Sequence, residues 1–402
     1  MPTFSGVWSL SHQLQEIGGQ AWPMSPSATT SVSAEAGDTA ATISFSTPSF
    51  AGVPATITGY LATSTPSGIT ATGSSSPLTM TGLTNGTAYT FSVQATNAVG
   101  YGVAGTSGSV SPSVQIAFFS LGGSEIEKIN ITTLGNSVDY GDLTSAAYHV
   151  GACGNSTRVI FGGGSDGGTA INVIQYISTS GGGNTTDFGD LTYDSNNCSG
   201  LSNSTIGIFG GGNSDSVSAE ATVNKITIAS TGNAIDYGDL TQGGQKWRTC
   251  ASPTRGIFAM GFSPTGGSAN VINYKSISSS GDMSDFGDLT GTNNQSGGSY
   301  GAGCSSPTRG LIAGPNNVIT YITIASTGNA TDFGDMTTST RAGMAAASSQ
   351  TRALFIGGYV GGGTNIIDYV AIATTGNASD FGDISGSSVA FGAATSTAHG
   401  GL

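Results

Sequence analysis

The chain has 402 residues, of which 65 are glycine, 37% are hydrophobic and only 8% are charged, and its formal net charge is −13. Disorder goes with high charge and few apolar residues, so short Val, Ile, Phe and Tyr runs between Gly, Ser, Thr and Asn favour an all-β protein with many tight turns. The acidic balance argues against nucleic acid or an anionic membrane as a partner. We recognise no signal peptide and no run of ~18 apolar residues that would insert in a membrane, and therefore expect synthesis in a cytosol.

The first 23 residues follow neither of the two patterns that organise the rest of the chain. Leu10, Leu14 and Ile17 have the i, i+4, i+7 spacing of a short amphipathic helix. Large apolar side chains outside a domain core need a surface to cover them, either a larger assembly or the neighbouring domain, and we favour the assembly. The predicted docking residues of this arm are Trp8, Leu10, Leu14 and Trp22.

Residues 24–113 contain short β-like runs separated by turn signals, a spacing that suits a β-sandwich. The phrase LTMTGLTNGTAYTFSVQATNAVGYG, residues 78–102, closely resembles a fibronectin type III domain. The resemblance implies that Leu83 is buried and that the hydroxyl of Tyr89 ties a corner to the backbone. Where the family usually has Trp in its second strand, this chain has Phe45. Such domains are spacers or binders, so the fold alone assigns no function.

A five-residue phrase, Asp-Phe/Tyr-Gly-Asp followed by Leu, Met or Ile, recurs six times in residues 114–402. The copies begin at Asp139, Asp187, Asp236, Asp285, Asp332 and Asp380, at intervals of 47 to 49 residues. Each interval has room for four short strands, the number in one blade of a β-propeller. We therefore interpret the region as a tandem array of blades.

The order of small-residue strands predicts how the array closes. In five of the six units, a strand composed of Gly, Ala, Ser and Cys precedes a more apolar strand, and the first unit lacks such a small-residue strand. A sixth such strand, residues 389–395, occurs at the end of the chain. We predict a six-bladed propeller in which this C-terminal strand completes the blade formed by residues 115–143, which removes an open sheet edge. Small residues suit the innermost strand because blades crowd at the axis.

Two resemblances accompany this architecture. The double glycine and the four-strand order resemble kelch-type repeats, although the Trp and Tyr placement of that family is missing. The phrases NVITYITIASTGNATDFGDMT, residues 317–337, and TRALFIGG, residues 351–358, look like repeats of structural proteins of tailed bacteriophages. This resemblance implies a virion structural or fibre protein.

Three sets of repeated residues have both a chemical and a structural interpretation. The paired aspartates of the phrase suggest Ca²⁺ or the Asp-box of sialidases, but Ca²⁺ needs about 6–8 oxygen ligands and six equivalent copies favour a structural lock. The arginines that begin one strand of four units suggest a carboxylate-binding group, and we favour pairing with an Asp of the same or the next blade. These are Arg158, Arg255, Arg309 and Arg352. Cys153, Cys250 and Cys304 suggest a metal or disulfide site, and we favour small buried thiols, with no metal and no cofactor.

The residues that differ between units indicate function better than those that repeat. We find no nucleophile–base pair and no catalytic or phosphate-binding motif, and therefore expect no enzyme. The loops at one end of the blades carry aromatic residues among Asn, Ser and Gly, which suits sugar binding, although these residues could also simply cover the ring. The predicted ligand-binding residues are Tyr148, Tyr193, Lys246, Trp247, Arg248, Tyr300 and Tyr359.

Together these features predict a phage virion structural protein, a fibre or appendage of tail or capsid, that displays a propeller for adhesion to a host-surface glycan. The expected partners are other virion proteins through the N-terminal arm and a host cell-surface glycan. We expect a homo-oligomer, with a trimer as first candidate because fibres are often trimeric, on the virion surface after assembly in the host cytoplasm. The alternatives are a decoration protein without a receptor and a propeller glycan hydrolase, whose carboxylates need no sequence motif.

Overall fold

The computed structural model describes residues 23–120, 122–264, 270–290, 301–386 and 392–402. All regular elements in these residues are β-strands. The described residues contain no helix that is long and apolar enough to cross a membrane. The chain divides into two compact units between Val114 and Gln115. The predicted docking residues Trp8, Leu10, Leu14 and Trp22 lie outside the described residues.

The first unit is a sandwich of two antiparallel sheets around one core. One sheet contains Thr30–Ala36, Ala40–Ser46 and Leu78–Thr81; the other contains Gly59–Thr65, Thr70–Gly73, Thr90–Asn97, Gly100–Tyr101 and Gly105–Thr106. Buried and more exposed residues alternate along these strands because successive side chains point to opposite faces. Phe45 packs against Tyr60 across the core, with ring centroids 4.7 Å apart. Leu83 is buried and the Tyr89 hydroxyl accepts a hydrogen bond from the Thr84 N–H at 3.1 Å, so both expectations for this corner are confirmed.

The second unit contains six sheets of one design, in which four strands named A to D follow one another from edge to edge. In the order of the sheets, the A strands are Ala393–Ser396, Gly151–Gly154, Ser199–Ser202, Arg248–Ala251, Ala302–Ser305 and Ala345–Ser348. The B strands are Ile116–Ser120, Arg158–Gly162, Ile206–Gly210, Arg255–Ala259, Arg309–Ala313 and Arg352–Ile356. The C strands are Glu125–Asn130, Val173–Ser178, Thr222–Thr227, Val271–Ser276, Val318–Thr323 and Ile366–Ala371. The D strands are Val138–Asp142, Thr186–Asp190, Ile235–Asp239, Ser284–Asp288, Thr331–Asp335 and Ser379–Asp383. In addition, Gly183–Asn184 pairs in parallel with the first D strand, and Ser165–Asp166 and Thr169–Ala170 form a short hairpin.

The A strands connect the six sheets to one another. Each A strand contacts the A strand of the next sheet, and that of the sixth sheet contacts that of the first. The first sheet takes its A strand from the end of the chain, since Ala393–Ser396 pairs antiparallel with Ile116–Ser120. The spacing between A strands explains their small residues: a Cβ on Gly200 would lie only 2.4 Å from the carbonyl oxygen of Ala152.

The hydrophobic core of this unit lies between neighbouring sheets. Each of six clusters combines buried residues of two adjacent sheets. For example, Phe188 of the second sheet shares a cluster with Phe209 of the third, and Phe381 of the sixth shares one with Phe119 of the first. No sheet therefore buries its apolar residues alone, and apolar burial holds the array together.

The repeated phrase joins each D strand to the following sheet. In the fourth sheet, Phe286 and Leu289 are buried, and the Asp285 carboxylate accepts a hydrogen bond from the Gly287 N–H at 3.2 Å. Gly287 has a φ of +143°, and a Cβ there would lie 2.5 Å from the carbonyl oxygen of Gly328 in the fifth sheet. The same close approach occurs at Gly141, Gly189, Gly238, Gly334 and Gly382. These contacts agree with the structural interpretation of the phrase.

The repeated arginines also bridge sheets, but the predicted Arg–Asp pairing is wrong. The Arg158 Nη1 donates to the carbonyl oxygen of Ile228 in the next sheet at 2.8 Å, and its guanidinium lies 4.6 Å from the ring centroid of Tyr176. Arg255, Arg309 and Arg352 make equivalent contacts. A carbonyl at the end of the neighbouring C strand is the nearer acceptor. Among the described residues, Arg341 and Asp368 form an ion pair. Both side chains are fully buried, and the N–O distance is 3.4 Å.

Candidate ligand-binding site

The site begins with a cavity where the A strands start. Its volume is about 90 Å³, and residues of all six A strands line it. Its wall consists largely of Gly, Ala and Ser, to which a few larger residues contribute specific chemistry. These larger residues are His149, Asn197, Lys246, Trp247, Thr249 and Met344. We call this space the inner-strand cavity.

A single position, two residues before the A strand begins, supplies most of this chemistry. In the second, third, fourth and sixth sheets it holds His149, Asn197, Lys246 and Gly343, whose φ angles are 61°, 64°, 49° and 67°. Such left-handed angles are uncommon for residues other than glycine. The Asn197 N–H donates to the His149 carbonyl at 3.1 Å, and the Lys246 N–H donates to the Asn197 carbonyl at 2.8 Å. We call it the entry position: its backbone is fixed by bonds between sheets, while its side chain differs from sheet to sheet.

The electrostatics of the cavity are set by Lys246. Burial lowers the pKa of Lys246 to about 7. Burial, and then the nearby Lys246 charge, lowers the pKa of His149 to about 4, so the imidazole is neutral near pH 7. Burial raises the pKa of the Cys198 thiol, which also lines the cavity, to about 11. On the described wall, Lys246 is thus the residue whose charge changes near neutrality.

Asn197 adds a buried hydrogen-bond acceptor. This residue is only 7% exposed. Its Nδ2 donates to the Asn213 Oδ1 at 2.9 Å and lies 3.3 Å from the Gln245 Oε1. Its Oδ1 has no hydrogen-bond partner among the described residues. A buried polar atom without a partner costs about 1–3 kcal/mol, so this amide oxygen is held at a cost to stability.

Of the predicted ligand-binding residues that the structure describes, Lys246 and Trp247 line the inner-strand cavity. Tyr148 and Tyr359, each about half exposed, lie outside the cavity wall. Tyr193 also lies outside it, and its hydroxyl donates to the Gly211 carbonyl at 2.8 Å. Tyr300 lies outside the described residues.

Trp247 and Arg248 are predicted as ligand-binding loop residues, but both are buried, with only 3% and 1% of each exposed. The indole of Trp247 packs edge-on against Phe258, with ring centroids 6.4 Å apart. Arg248 occupies the space over Gly301, where a Cβ would lie 2.5 Å from the Arg248 Nε. Both side chains therefore support the wall of the site from inside the protein.

Sequence reasoning missed His149 and Asn197. Neither is a Phe, Tyr or Trp and neither is charged near neutrality, so a search for large sugar-stacking residues does not select them. The signal that finds them is the repeat register, because both align with Lys246 at the entry position. The loop between the D and A strands and the loop between the B and C strands lie together in four of the sheets, where a backbone bridge joins them. These bridges join Tyr148 to Ser165, Asn196 to Asn213, Gln245 to Phe262 and Ala342 to Tyr359.

The far ends of the A strands contact the last residues of the chain. The Gly400 N–H donates to the Ser305 carbonyl at 2.8 Å. The His399 Nε2 lies 3.0 Å from the Gly154 carbonyl oxygen, while its Nδ1 accepts the Gly401 N–H at 3.1 Å. These two bonds assign the proton to Nε2, and burial lowers the pKa of this imidazole. His399, an isolated residue in the sequence, is therefore a neutral link between the tail and the A strands.

The described residues contain no group of three His, Cys, Asp or Glu side chains that could hold a metal ion. Cys153, Cys198, Cys250 and Cys304 are all buried and free. The interpretation of the repeated cysteines as small buried thiols agrees with this finding.

Comparison with known proteins assigns the first unit. Residues 25–111 match the family model of the fibronectin type III domain. These residues form a fibronectin type III domain. The matched range contains the Phe45–Tyr60 core contact and the Tyr89 corner of this fibronectin type III domain. A search of curated proteins found no match to the chain.

Proposed function

We propose that residues 115–402 form a six-bladed β-propeller that is closed by the strand Ala393–Ser396. The cyclic order of A-strand contacts and the six cores between adjacent sheets support this architecture. Hydrogen bonds across the seam support it as well: the Ser137 N–H donates to the Asp383 carbonyl at 3.0 Å, and the Arg352 Nη1 donates to the Ile131 carbonyl at 2.8 Å. These are the contacts that other neighbouring sheets make.

We further propose that the propeller is a binding module that attaches a virion to a glycan of the host surface, with no catalytic step. The observation that carries this proposal is the inner-strand cavity, because its larger residues lie at a position that differs from sheet to sheet. The resemblance of the repeats to structural proteins of tailed phages supports a location on the virion surface. In this arrangement the fibronectin type III domain is a spacer, and the arm in residues 1–23 docks onto other virion proteins.

A glycan array probed with the full-length chain tests the adhesive function. We expect retention on a subset of bacterial surface glycans and competition by the same glycans in solution. An array without retention, together with unchanged host adsorption in the presence of an antibody against residues 115–402, would instead favour a decoration protein without a receptor. Release of reducing sugar from a retained glycan would favour a hydrolase.

The virion location has a test of its own. Immunogold labelling with the same antibody should decorate intact particles at a tail or capsid appendage. Label that is found only with soluble protein after particle sedimentation would contradict a virion protein, whatever the array shows.

A further inference from the structure

We propose that residues 397–402 form an acid-sensitive latch, which holds the strand Ala393–Ser396 in place and releases it when His399 is protonated. We call residues 397–402 the tail and the strand Ala393–Ser396 the seam strand. This device lies outside the proposed adhesive function and does not depend on it. It gives a role to His399, which that function leaves unused.

The seam strand is held by contacts with distant parts of the chain. It pairs with Ile116–Ser120, and the Thr397 N–H extends the pairing by donating to the Ile116 carbonyl at 2.9 Å. In return, the Ile116 N–H donates to the Thr397 Oγ1 at 3.0 Å. Ile116 and Thr397 are 281 residues apart, so no short turn joins the two strands. Loss of nearby contacts therefore frees the seam strand more easily than a strand inside a hairpin.

The tail ties the seam strand to three other sheets. The Nε2–H of His399 donates to the carbonyl oxygen of Gly154 in the second sheet at 3.0 Å. The same nitrogen lies 3.3 Å from the Ser202 Oγ in the third sheet. The Gly400 N–H donates to the carbonyl of Ser305 in the fifth sheet at 2.8 Å. These bonds hold the seam strand to sheets that it does not pair with.

The tail packs closely against the A strands. A Cβ on Gly400 would lie 2.5 Å from the Ala251 carbonyl oxygen of the fourth sheet, and a Cβ on Gly401 would overlap the Ser202 carbonyl oxygen. Both glycines are buried. Close packing leaves few intermediate positions, so a change in one bond moves the tail between a bound and a released state.

The bound tail uses both nitrogens of a neutral imidazole. While Nε2–H donates to Gly154, the Nδ1 of His399 accepts a hydrogen bond from the Gly401 N–H at 3.1 Å. A protonated imidazole has a hydrogen on each nitrogen, so its Nδ1 can no longer accept this bond and two donors face each other. Protonation therefore breaks the bond that folds the tail and places a positive charge against the A strands.

No acidic side chain of the described cavity wall beside the tail offsets that charge. Besides His399, the titratable groups of this wall are the thiols of Cys250 and Cys304, whose pKa values burial raises. The Leu402 N–H donates to the His399 carbonyl at 3.0 Å, but in the described residues the Leu402 carboxylate forms no ion pair with the imidazole. Arg158, which follows the A strand of Gly154, directs its guanidinium to the next sheet. Neither A strand that the imidazole contacts, nor the turn after it, contains Asp or Glu.

The direction of the pH dependence follows from the pKa of His399. Burial lowers this pKa in the bound tail, whereas a released tail has an imidazole with the ordinary value of 6.5. The released form therefore binds more protons between the two values. The stabilisation by the latch is fully present above about pH 6.5 and is lost as the pH falls through the lower pKa of the bound form.

Hydrogen exchange of the full-length protein tests the latch at about pH 7.5 and about pH 5, with rates corrected for the intrinsic effect of pH. We expect the seam strand, the tail and Ile116–Ser120 to lose protection by about tenfold or more at the lower pH. The strand Thr90–Asn97 of the fibronectin type III domain should keep its protection. Equal protection of the tail at both pH values would overturn the proposal, and so would an equal loss in every strand.

Two variants test the role of the imidazole. His399→Gln keeps an N–H donor for Gly154 but does not titrate, so its protection should be the same at both pH values. The matched control is His149→Asn, which removes another imidazole and places there the residue that the third sheet has at the entry position. This control should keep the acid-induced loss. A loss that persists in His399→Gln, or that disappears in His149→Asn, would refute the assignment to His399.

A measurement on the wild type does not depend on the folding of a variant. The chain has three histidines, and NMR of the full-length protein with ¹³C-labelled histidine follows each imidazole during a pH titration. One imidazole should titrate below about pH 6.5 with the same midpoint as the loss of protection. A loss of protection at a pH where no histidine titrates would refute the latch.

Discussion

Gly287 offers a quantitative test of how the repeated phrase holds neighbouring sheets together. In Gly287→Ala, the new Cβ would lie 2.5 Å from the Gly328 carbonyl oxygen of the next sheet, which is closer than real Cβ contacts allow. The strand and the facing turn have to separate. Three hydrogen bonds cross this junction: Gly328 N–H to Phe286 O at 2.8 Å, Ala330 N–H to Asp288 O at 2.9 Å, and Asp288 N–H to Asn329 Oδ1 at 3.0 Å.

The facing glycine is the matched control. Gly328 has a φ of +154°, near the +143° of Gly287, but a Cβ there would meet nothing within 4 Å. Both substitutions therefore carry a similar backbone strain of about 1–3 kcal/mol. Only Gly287→Ala also weakens the three bonds, at about 0.5–1.5 kcal/mol each, so it should lower the unfolding free energy by about 1.5–4.5 kcal/mol more than Gly328→Ala.

Differential scanning calorimetry of the full-length chain measures this difference. At about 2 °C per kcal/mol for a unit of this size, the repeat-region transition of Gly287→Ala should fall about 3–9 °C below that of Gly328→Ala. The transition of the fibronectin type III domain should stay unchanged and serves as an internal reference. Hydrogen exchange should show lost protection of the Gly328 and Ala330 amides only in Gly287→Ala. Equal melting temperatures with protected amides in both variants would refute the role that we assign to the phrase.

Three further predictions follow from buried polar groups. Asp368→Asn should lower the free energy of unfolding, measured in urea, by about 3–5 kcal/mol because Arg341 then keeps an uncompensated buried charge. Adding Arg341→Ser should recover part of that loss, and a double variant whose loss equals the sum of the two single losses would contradict the coupling. Arg309→Met should lower the free energy of unfolding by about 1–3 kcal/mol, since it removes a hydrogen bond to the next sheet and a cation–π contact with Tyr321. Arg309→Lys should retain only part of this stabilisation. A melting temperature of Arg309→Met equal to that of the wild type would contradict this role. Because burial lowers the pKa of Lys246 to about 7 from its ordinary 10.5, the unfolded chain binds more protons between these values. Stability should accordingly rise with pH above about 7, and thermal melts from about pH 7 to pH 9 should show a smaller rise in Lys246→Met; identical slopes would exclude this titration.

The repeating features of the fold were predictable because each has a local cause that recurs in the sequence. The interval between copies of the phrase predicts four strands per unit, and the small residues of the A strands reflect backbone approaches such as that of Gly200 to Ala152. The pairing of the C-terminal strand with Ile116–Ser120 followed from counting strands in the first and last units. The Tyr89 corner followed from a family resemblance.

The failed predictions concern long side chains whose surroundings come from another sheet. Sequence shows that Arg158 recurs, but not that the Ile228 carbonyl lies 2.8 Å from its Nη1. The sequence predicts Arg248 as a loop residue and does not show its burial, because the space over Gly301 exists only after two sheets pack together. Whether a long cationic side chain is buried depends on gaps between neighbouring sheets, and the spacing of residues within one sheet does not show these gaps.

The entry position shows how this architecture separates folding from recognition. Its backbone is held by hydrogen bonds from one sheet to the next, such as the Lys246 N–H to the Asn197 carbonyl, and these bonds involve no side chain. Imidazole, amide, ammonium and hydrogen all occur there at φ angles between 49° and 67°. Glycine adopts these angles without strain, as Gly343 does, and Asn and His adopt them more readily than most other residues, so Lys246 is the strained member of the set. Changing these side chains would therefore alter the chemistry of the cavity wall while leaving the bonds between the sheets intact.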